Sequence, residues 1–168
     1  MNTVHPMAAL RTKYVAPPVP RILIHRGTAG DAVAVSKYGD RIRNILGEKS
    51  YSVVDASSDG ANWAAPSATV VQGTFMRRFA RLDLNGVDDV VECFLGNCGG
   101  AEKYAGTGGK GITSRMGRND GSLGDVLAQG AYAALDRVLQ SSPEEIINRL
   151  AEIGLTGRGG AHFPVAQK

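Results

Sequence analysis

RILIHRGTAGDAVAVSKYGDRIRNILG, residues 21–47, decides the fold class of this chain. Ile22, Leu23 and Ile24 make a short apolar run that stops at Gly27, the mark of a strand. From Asp31 onward, Val35, Tyr38, Ile42 and Ile45 recur at steps of three and four, the period of a helix with one buried face. Asp31 stands where an N-cap or first-turn acid belongs, and Gly47 where a helix ends. Downstream, Tyr51–Val54, Ala68–Val71 and Phe75–Leu82 read as three more strands, with Gly73 turning a hairpin between the last two. Val87–Leu95 reads as a second helix.

The order strand, helix, strand, strand, strand, helix places two helices on a four-stranded sheet, the α/β arrangement of a thioredoxin-like domain. Length and composition agree with one compact domain plus an appendage and exclude a large multidomain enzyme: 168 residues, 43% hydrophobic and 21% charged. Net charge is +3, with 19 Lys+Arg spread among 16 Asp+Glu. No basic stripe results, so no nucleic-acid partner is expected. No apolar run approaches the ~20 residues that span a bilayer, so no direct membrane insertion is expected. The start of the chain lacks the apolar region of a secretion signal, and two cysteines are too few for a disulfide scaffold. The expected setting is cytoplasmic, at most peripheral to a membrane complex.

Residues 1–20 contain Pro6, Pro17, Pro18 and Pro20 and no hydrophobic period, which predicts a flexible lead-in. Residues 21–96 are the thioredoxin-like domain. Glycine, 22 residues or about 13% against an average near ~7%, is concentrated from Gly96 to Gly160, and residues 97–121 read as a Gly-rich linker. Residues 122–168 then carry two helices and a glycine-rich loop. Ser122 with Asp125 resembles a capping box ahead of one helical stripe, Val126, Leu127, Ala131, Ala134, Leu135 and Val138. Ser142-Pro143-Glu144-Glu145 supplies an N-cap, a proline at the first helical position and an acid at the third, before Ile146, Ile147, Leu150 and Ile153. Gly154 closes that helix.

Chemistry points to the tail from Gly154 to Lys168. Gly157, Gly159 and Gly160 let backbone amides approach an anion closely. Arg158 and Lys168 add positive charge, and Phe163 a flat apolar face. The residues alone leave a mobile loop as the alternative.

The run Gly-Leu-x-Gly-Arg-Gly-Gly-Ala-x-Phe-Pro, followed by a lysine, resembles the FMN-binding loop of a family of flavoprotein subunits. These are the FMN- and NADH-binding subunit of respiratory complex I, the diaphorase subunit of NAD-reducing hydrogenases and the beta subunit of NAD-dependent formate dehydrogenases. Ser122 to Ala134 and Ser142 to Leu150 resemble the two helices that precede the loop there. The resemblance implies that 122–168 opens the FMN-binding fold. It implies FMN held at Gly157, Arg158, Gly159, Gly160, Ala161 and Lys168, with Phe163 near the nicotinamide of NAD(H). His162 and Ala166 depart from it, each standing where the family has glycine. The function implied is electron transfer between NAD(H) and FMN and on to iron–sulfur clusters, in company with other subunits of an NAD-linked oxidoreductase complex. The chain looks like roughly the first third of such a subunit, inactive alone and with no catalytic residue of its own. The alternative is a non-catalytic thioredoxin-like module that docks partner subunits.

The first domain resembles the ferredoxin module of some of these subunits, whose four cysteine positions are held here by His25, Gly30, Ser58 and Asn62. Iron clusters take thiolates, so no [2Fe–2S] cluster is expected. Cys93 and Cys98, spaced Cys-x4-Cys with no second pair, read as two reduced thiols without a shared role or metal. Gly106, Gly108 and Gly111 spell G-x-G-x-x-G but lack the flanking strand and helix of a dinucleotide site. Asp88, Asp89 and Glu92 read as a solvated helix face. A thiol–disulfide oxidoreductase would need Cys-x-x-Cys, which is missing.

Overall fold

The computed structural model describes residues 6–17, 19–106 and 116–168. These form two compact units, Val15–Val126 and Met1–Tyr14 with Leu127–Lys168.

The first unit is a mixed α/β layer. Strands β1 (Arg21–His25), β2 (Val53–Ala56), β3 (Ser67–Gln72) and β4 (Phe75–Ala80) lie in the order β2-β1-β3-β4. β1 runs parallel to β2, with Ile22 opposite Val53, and antiparallel to β3, with Leu23 opposite Thr69. A parallel neighbour demands a crossover, and α2 (Thr28–Ala32) and α3 (Val35–Leu46) supply it. β3 and β4 form the expected hairpin, and Gly73 takes the positive φ of 59° at its first turn position.

Alternation along β1 sends Ile22 and Ile24 to one face and Leu23 to the other. The first face meets Val35, Ile42 and Leu46 of α3 and Val87, Val90, Val91 and Phe94 of α4 (Leu84–Phe94), with Phe79 fully buried between the layers. Leu23 packs with Ala56 and Val71 on the opposite face. Being covered on both sides is why the β1 segment reads as an unbroken apolar run. Each side chain of this size contributes ~1.5–3 kcal/mol when fully buried.

Three details differ from the sequence reading. Ala34 adopts a left-handed φ of 54°, so α3 starts at Val35 and Asp31 belongs to α2, where it accepts from Arg26 Nε at 2.9 Å. The buried stripe of α3 ends on Leu46, while Ile45 is exposed. Residues 100–106, within the segment 97–121 expected as a linker, are fastened to the sheet unit. A 3₁₀ turn at Gly100–Tyr104 inserts the fully buried Ala101 into the main core, Ala105 bridges Phe79, and the Gly106 amide donates to the Arg78 carbonyl at 2.8 Å. Burial of one small side chain and two strand-edge contacts fasten a stretch whose glycines alone suggest freedom. Gly108 and Gly111 lie outside the described residues.

Cys93 and Cys98 are also not separate thiols: they form a disulfide. α4 ends at Phe94, Gly96 takes a φ of 113°, and the Asn97 amide donates back to the Glu92 carbonyl at 2.9 Å. That reversal brings Cys98 beside Cys93, a pairing that the linear Cys-x4-Cys spacing does not announce.

The second unit is helical. Residues 6–14, expected as part of a flexible lead-in, form α1 (Pro6–Tyr14). Arg11 donates from Nη1 to the Leu127 carbonyl at 2.8 Å and from Nη2 to that of Ala131 at 3.2 Å. Anchors more than 110 residues away leave no local period to read. The single stripe from Val126 to Val138 is likewise two helices, α5 (Leu123–Ala128) and α6 (Ala133–Val138), α5 crossing the boundary between the units. Gly130 at φ 84° and Tyr132 at φ 61° break it, because left-handed residues cannot continue a right-handed helix. α7 (Pro143–Glu152) has a full capping box: the Glu145 amide donates to Ser142 Oγ at 3.2 Å and the Ser142 amide to Glu145 Oε2 at 2.8 Å. Gly154, at φ 62°, ends it.

Candidate functional site

The tail beyond α7 folds into a closed loop. The Val165 amide donates to the Leu155 carbonyl at 2.9 Å, Thr156 and Pro164 form an isolated antiparallel bridge, and the Gly157 amide donates to the Phe163 carbonyl at 2.9 Å. The base is thus pinned, and Arg158, Gly159, Gly160, Ala161 and His162 form the tip. Their amides make no hydrogen bond among the described residues, a concentration of donors that an anion can satisfy. A Cβ added at Gly159 or Gly160 would meet nothing within 4 Å. Packing within the chain therefore does not require glycine at these two positions, and the space beside the backbone is open. Gly160 takes a φ of 99°, which suits glycine.

The loop brings most of the sequence-selected residues into one segment. Gly157 and Phe163 are paired at its base, Arg158 to Ala161 form the tip, and Lys168 follows a short 3₁₀ turn at Val165–Gln167. Gly157 differs from its neighbours, since its amide is already committed to Phe163. Phe163 is 45% exposed, and Arg158 and Lys168 are exposed. His162 has a φ of 47°. A left-handed conformation costs an ordinary L-residue ~1–2 kcal/mol, so the backbone here has the shape of a glycine position although the side chain is histidine.

A second constellation lies in the sheet unit, on the two loops that the ferredoxin resemblance sets side by side; sequence reasoning missed its Asp59, Thr69 and Arg78. Loops 25–30 and 57–62 meet there: a Cβ on Gly27 would come within 2.8 Å of Ser58 Cβ, and one on Gly30 within 2.7 Å of the His25 carbonyl oxygen. His25 points inward, buried, with Nε2 2.8 Å from Thr69 Oγ1 and Nδ1 3.4 Å from the Ser57 carbonyl. A carbonyl only accepts, so the Nδ1 contact is a hydrogen bond in the tautomer that carries its proton on Nδ1, in which Nε2 accepts from the Thr69 hydroxyl. Burial pushes the His25 pKa below its ordinary value, against an opposing pull from Asp59. Buried Asp59 accepts from Arg78 Nε at 2.7 Å, Ser67 Oγ at 3.2 Å and the Ala61 amide at 2.9 Å. No sequence signal marks Asp59, because it sits in a polar stretch and its side-chain partners, Ser67 and Arg78, come from two distant strands, β3 and β4.

These positions do not fit a four-thiolate cluster. His25 is turned to Thr69, Gly30 has no side chain, Ser58 Oγ accepts from the Gly60 amide at 3.1 Å, and Asn62 is exposed at the start of a short 3₁₀ turn. Among the described residues no group of three or more His, Cys, Asp or Glu side chains is placed to hold a metal ion.

No protein-family model matches the sequence. One stretch of the chain is similar to part of an NADH-oxidising complex. That relative, the F subunit of NADH-quinone oxidoreductase of Aquifex aeolicus (strain VF5), is 47% identical over 47 residues, which is 28% of this chain and 11% of the relative. Among solved structures, NAD+-reducing [NiFe]-hydrogenase in the air-oxidized state is similar over 96% of this chain and 30% of its own, with a TM-score of 0.47 and 19% identity. The chain thus spans less than a third of either protein. No helix among the described residues is long and apolar enough to cross a membrane.

Proposed function

We propose that this chain is the N-terminal part of a flavoprotein subunit that carries electrons between NAD(H) and FMN and on to iron–sulfur clusters. Its tail would be the first wall of the FMN site, and its sheet unit a thioredoxin-like module that docks other subunits of an NAD-linked, cytoplasmic oxidoreductase complex. The observation that carries this reading is the tip Arg158–His162, whose amides have no hydrogen-bond partner among the described residues and whose Gly159 and Gly160 leave open space beside the backbone, with Arg158 exposed in the same tip. The similarity of one stretch to the NADH-quinone oxidoreductase protein of Aquifex aeolicus supports it. So do α6 and α7, which carry apolar stripes yet bury no residue; helices of that kind ordinarily pack against further parts of a domain.

The donor chemistry suits FMN. The amides of Arg158, Gly159, Gly160 and Ala161 would meet its phosphate, Arg158 and Lys168 would balance its charge, and Phe163 would offer a flat surface to a ring. Bound FMN would supply the hydride chemistry with NADH and the single-electron steps that follow. The chain's share is to position the phosphate end of the cofactor. One loop cannot enclose an isoalloxazine ring, since ligand sites bury ~70–90% of their ligand, so the 168-residue polypeptide holds FMN weakly.

Flavin fluorescence titrations with FMN and with riboflavin, which lacks the phosphate, test this. The expected result is a Kd for FMN of ~0.1–1 mM, with riboflavin ~10-fold weaker or undetectable. A nanomolar complex would contradict the open first wall, and equal affinity for both flavins would contradict a phosphate cradle.

A further inference from the structure

The disulfide between Cys93 and Cys98 joins two unlike sulfurs. Cys93 lies within the last turn of α4 and is 1% exposed, packed in the main core, whereas Cys98 sits in the following turn and is only partly buried. Thiol–disulfide exchange needs in-line access to one sulfur, so the accessible sulfur is the one attacked and the enclosed one leaves. The bond closes a short ring in which only Leu95, Gly96, Asn97 and Cys98 lie beyond the helix.

Segments on either side are held independently of it. On the N-terminal side, Gln72 Nε2 donates to the Phe94 carbonyl at 2.6 Å. On the C-terminal side, Ala101 is buried, Lys103 pairs with Asp89 at 3.1 Å, the Tyr104 hydroxyl donates to Asp83 at 2.5 Å, and Glu102 pairs with Arg77. Opening the bond therefore leaves the 3₁₀ segment and the core held, while the turn keeps only its own short-range backbone bonds, such as that from the Asn97 amide to the Glu92 carbonyl at 2.9 Å.

We propose that Cys93 and Cys98 are a reversible redox pair, oxidised by a peroxide and reduced by a dithiol, with Cys98 the reactive sulfur and Cys93 the resolving one. In oxidation by hydrogen peroxide, the Cys98 thiolate attacks one peroxide oxygen, the O–O bond breaks, and the hydroxide that leaves takes up a proton, giving a sulfenic acid and water. The Cys93 thiol then attacks that sulfur, the S–S bond forms and a second water leaves. In reduction, one thiol of the dithiol attacks Cys98 Sγ and Cys93 departs and takes a proton. The second thiol attacks the mixed disulfide, freeing Cys98 and leaving the dithiol as a disulfide. Two electrons move in each direction.

The test is thiol accounting by intact mass on the full chain, with hydrogen peroxide and dithiothreitol as the probes. After stoichiometric peroxide, no thiol should accept iodoacetamide in denaturant. After dithiothreitol under native conditions, both should be free, with Cys98 labelled at least ~10-fold faster than Cys93 in the folded protein. Amide exchange at residues 95–99 should rise about tenfold on reduction while β1 and β3 stay unchanged. In Cys93→Ala, peroxide should leave a sulfenic acid on Cys98 that dimedone traps. Should that variant misfold, the wild-type labelling rates and exchange pattern decide the matter. Equal labelling of the two thiols in the native reduced state, a disulfide that dithiothreitol opens only in denaturant, or peroxide treatment that forms no bond would each overturn the proposal.

Discussion

Arg78 on β4 closes on Asp59 in the loop after β2, its Nε donating to Asp59 Oδ2 at 2.7 Å with both side chains largely out of water. This pair ties loop 57–62 to the sheet. Gly117 packs against it, where a Cβ would lie 3.4 Å from Asp59 Cβ and 3.3 Å from His25 Nε2. The ion pair thus joins two stretches of the first unit, and Gly117 packs between it and His25.

Replacing Asp59 by alanine strands the Arg78 guanidinium, and breaking a buried pair from one side costs ~3–5 kcal/mol. Urea unfolding of Asp59→Ala should show a stability loss of that size. The double change Asp59→Ala, Arg78→Met should recover part of it, because no uncompensated charge remains. Losses below about 1 kcal/mol, the level of an exposed pair, would show that the pair is solvated.

His25 should make stability pH-dependent. Burial lowers its folded pKa, so the unfolded chain binds more protons and stability rises with pH. Its contribution is fully present above the unfolded value near ~6.5 and is lost as pH falls below that value toward the depressed folded pKa. The carboxylates with shifts, Asp83, Asp88 and Asp120, are all lowered and act at more acid pH. Thermal melts between pH 8 and 5 should therefore show a decline that His25→Gln flattens.

Gly86 on α4 lies under the Tyr104 ring, where a Cβ would fall 2.7 Å from Cζ. Gly86→Ala should push the ring away from Asp83. The hydrogen bond to Asp83 is the main cause holding the Tyr104 phenol above its ordinary pKa, and the same bond leads those that lower Asp83. An ultraviolet titration should then find Tyr104 ionising at lower pH in the variant. No change would mean that the ring accommodates the methyl in place.

The capping box of α7 can be tested alone. Ser142→Ala removes the acceptor for the Glu145 amide and should cost ~1 kcal/mol. Amide exchange in Pro143–Glu152 should quicken by roughly the same free energy, with the sheet unit unaffected.

The fold was legible where side chains repeat with a local period. Ile22 to Ile24, the Val35 to Ile42 stripe and Gly73 mark β1, α3 and the hairpin because burial and turn geometry act over a few residues. Ser142 and Glu145 mark the start of α7 for the same reason. α1 was hidden because Arg11 is anchored to carbonyls beyond residue 120. The break between α5 and α6 was hidden because Tyr132 takes a left-handed φ that its side chain does not signal. The glycines of the tail marked the candidate loop, but its closure through Gly157 and Phe163 is a backbone pairing that residue types do not encode. The Asp59–Arg78–His25 group, with Ser67 and Thr69, needed the fold itself to bring three strands and a loop together.

The most direct test of the proposed FMN cradle is an amide NMR titration of the chain with FMN. The account predicts progressive shifts concentrated at Arg158, Gly159, Gly160, Ala161 and His162, with a smaller response at Lys168 and none across β1 to β4. Shifts centred on the sheet unit, or a tip that stays unmoved at millimolar FMN, would contradict it.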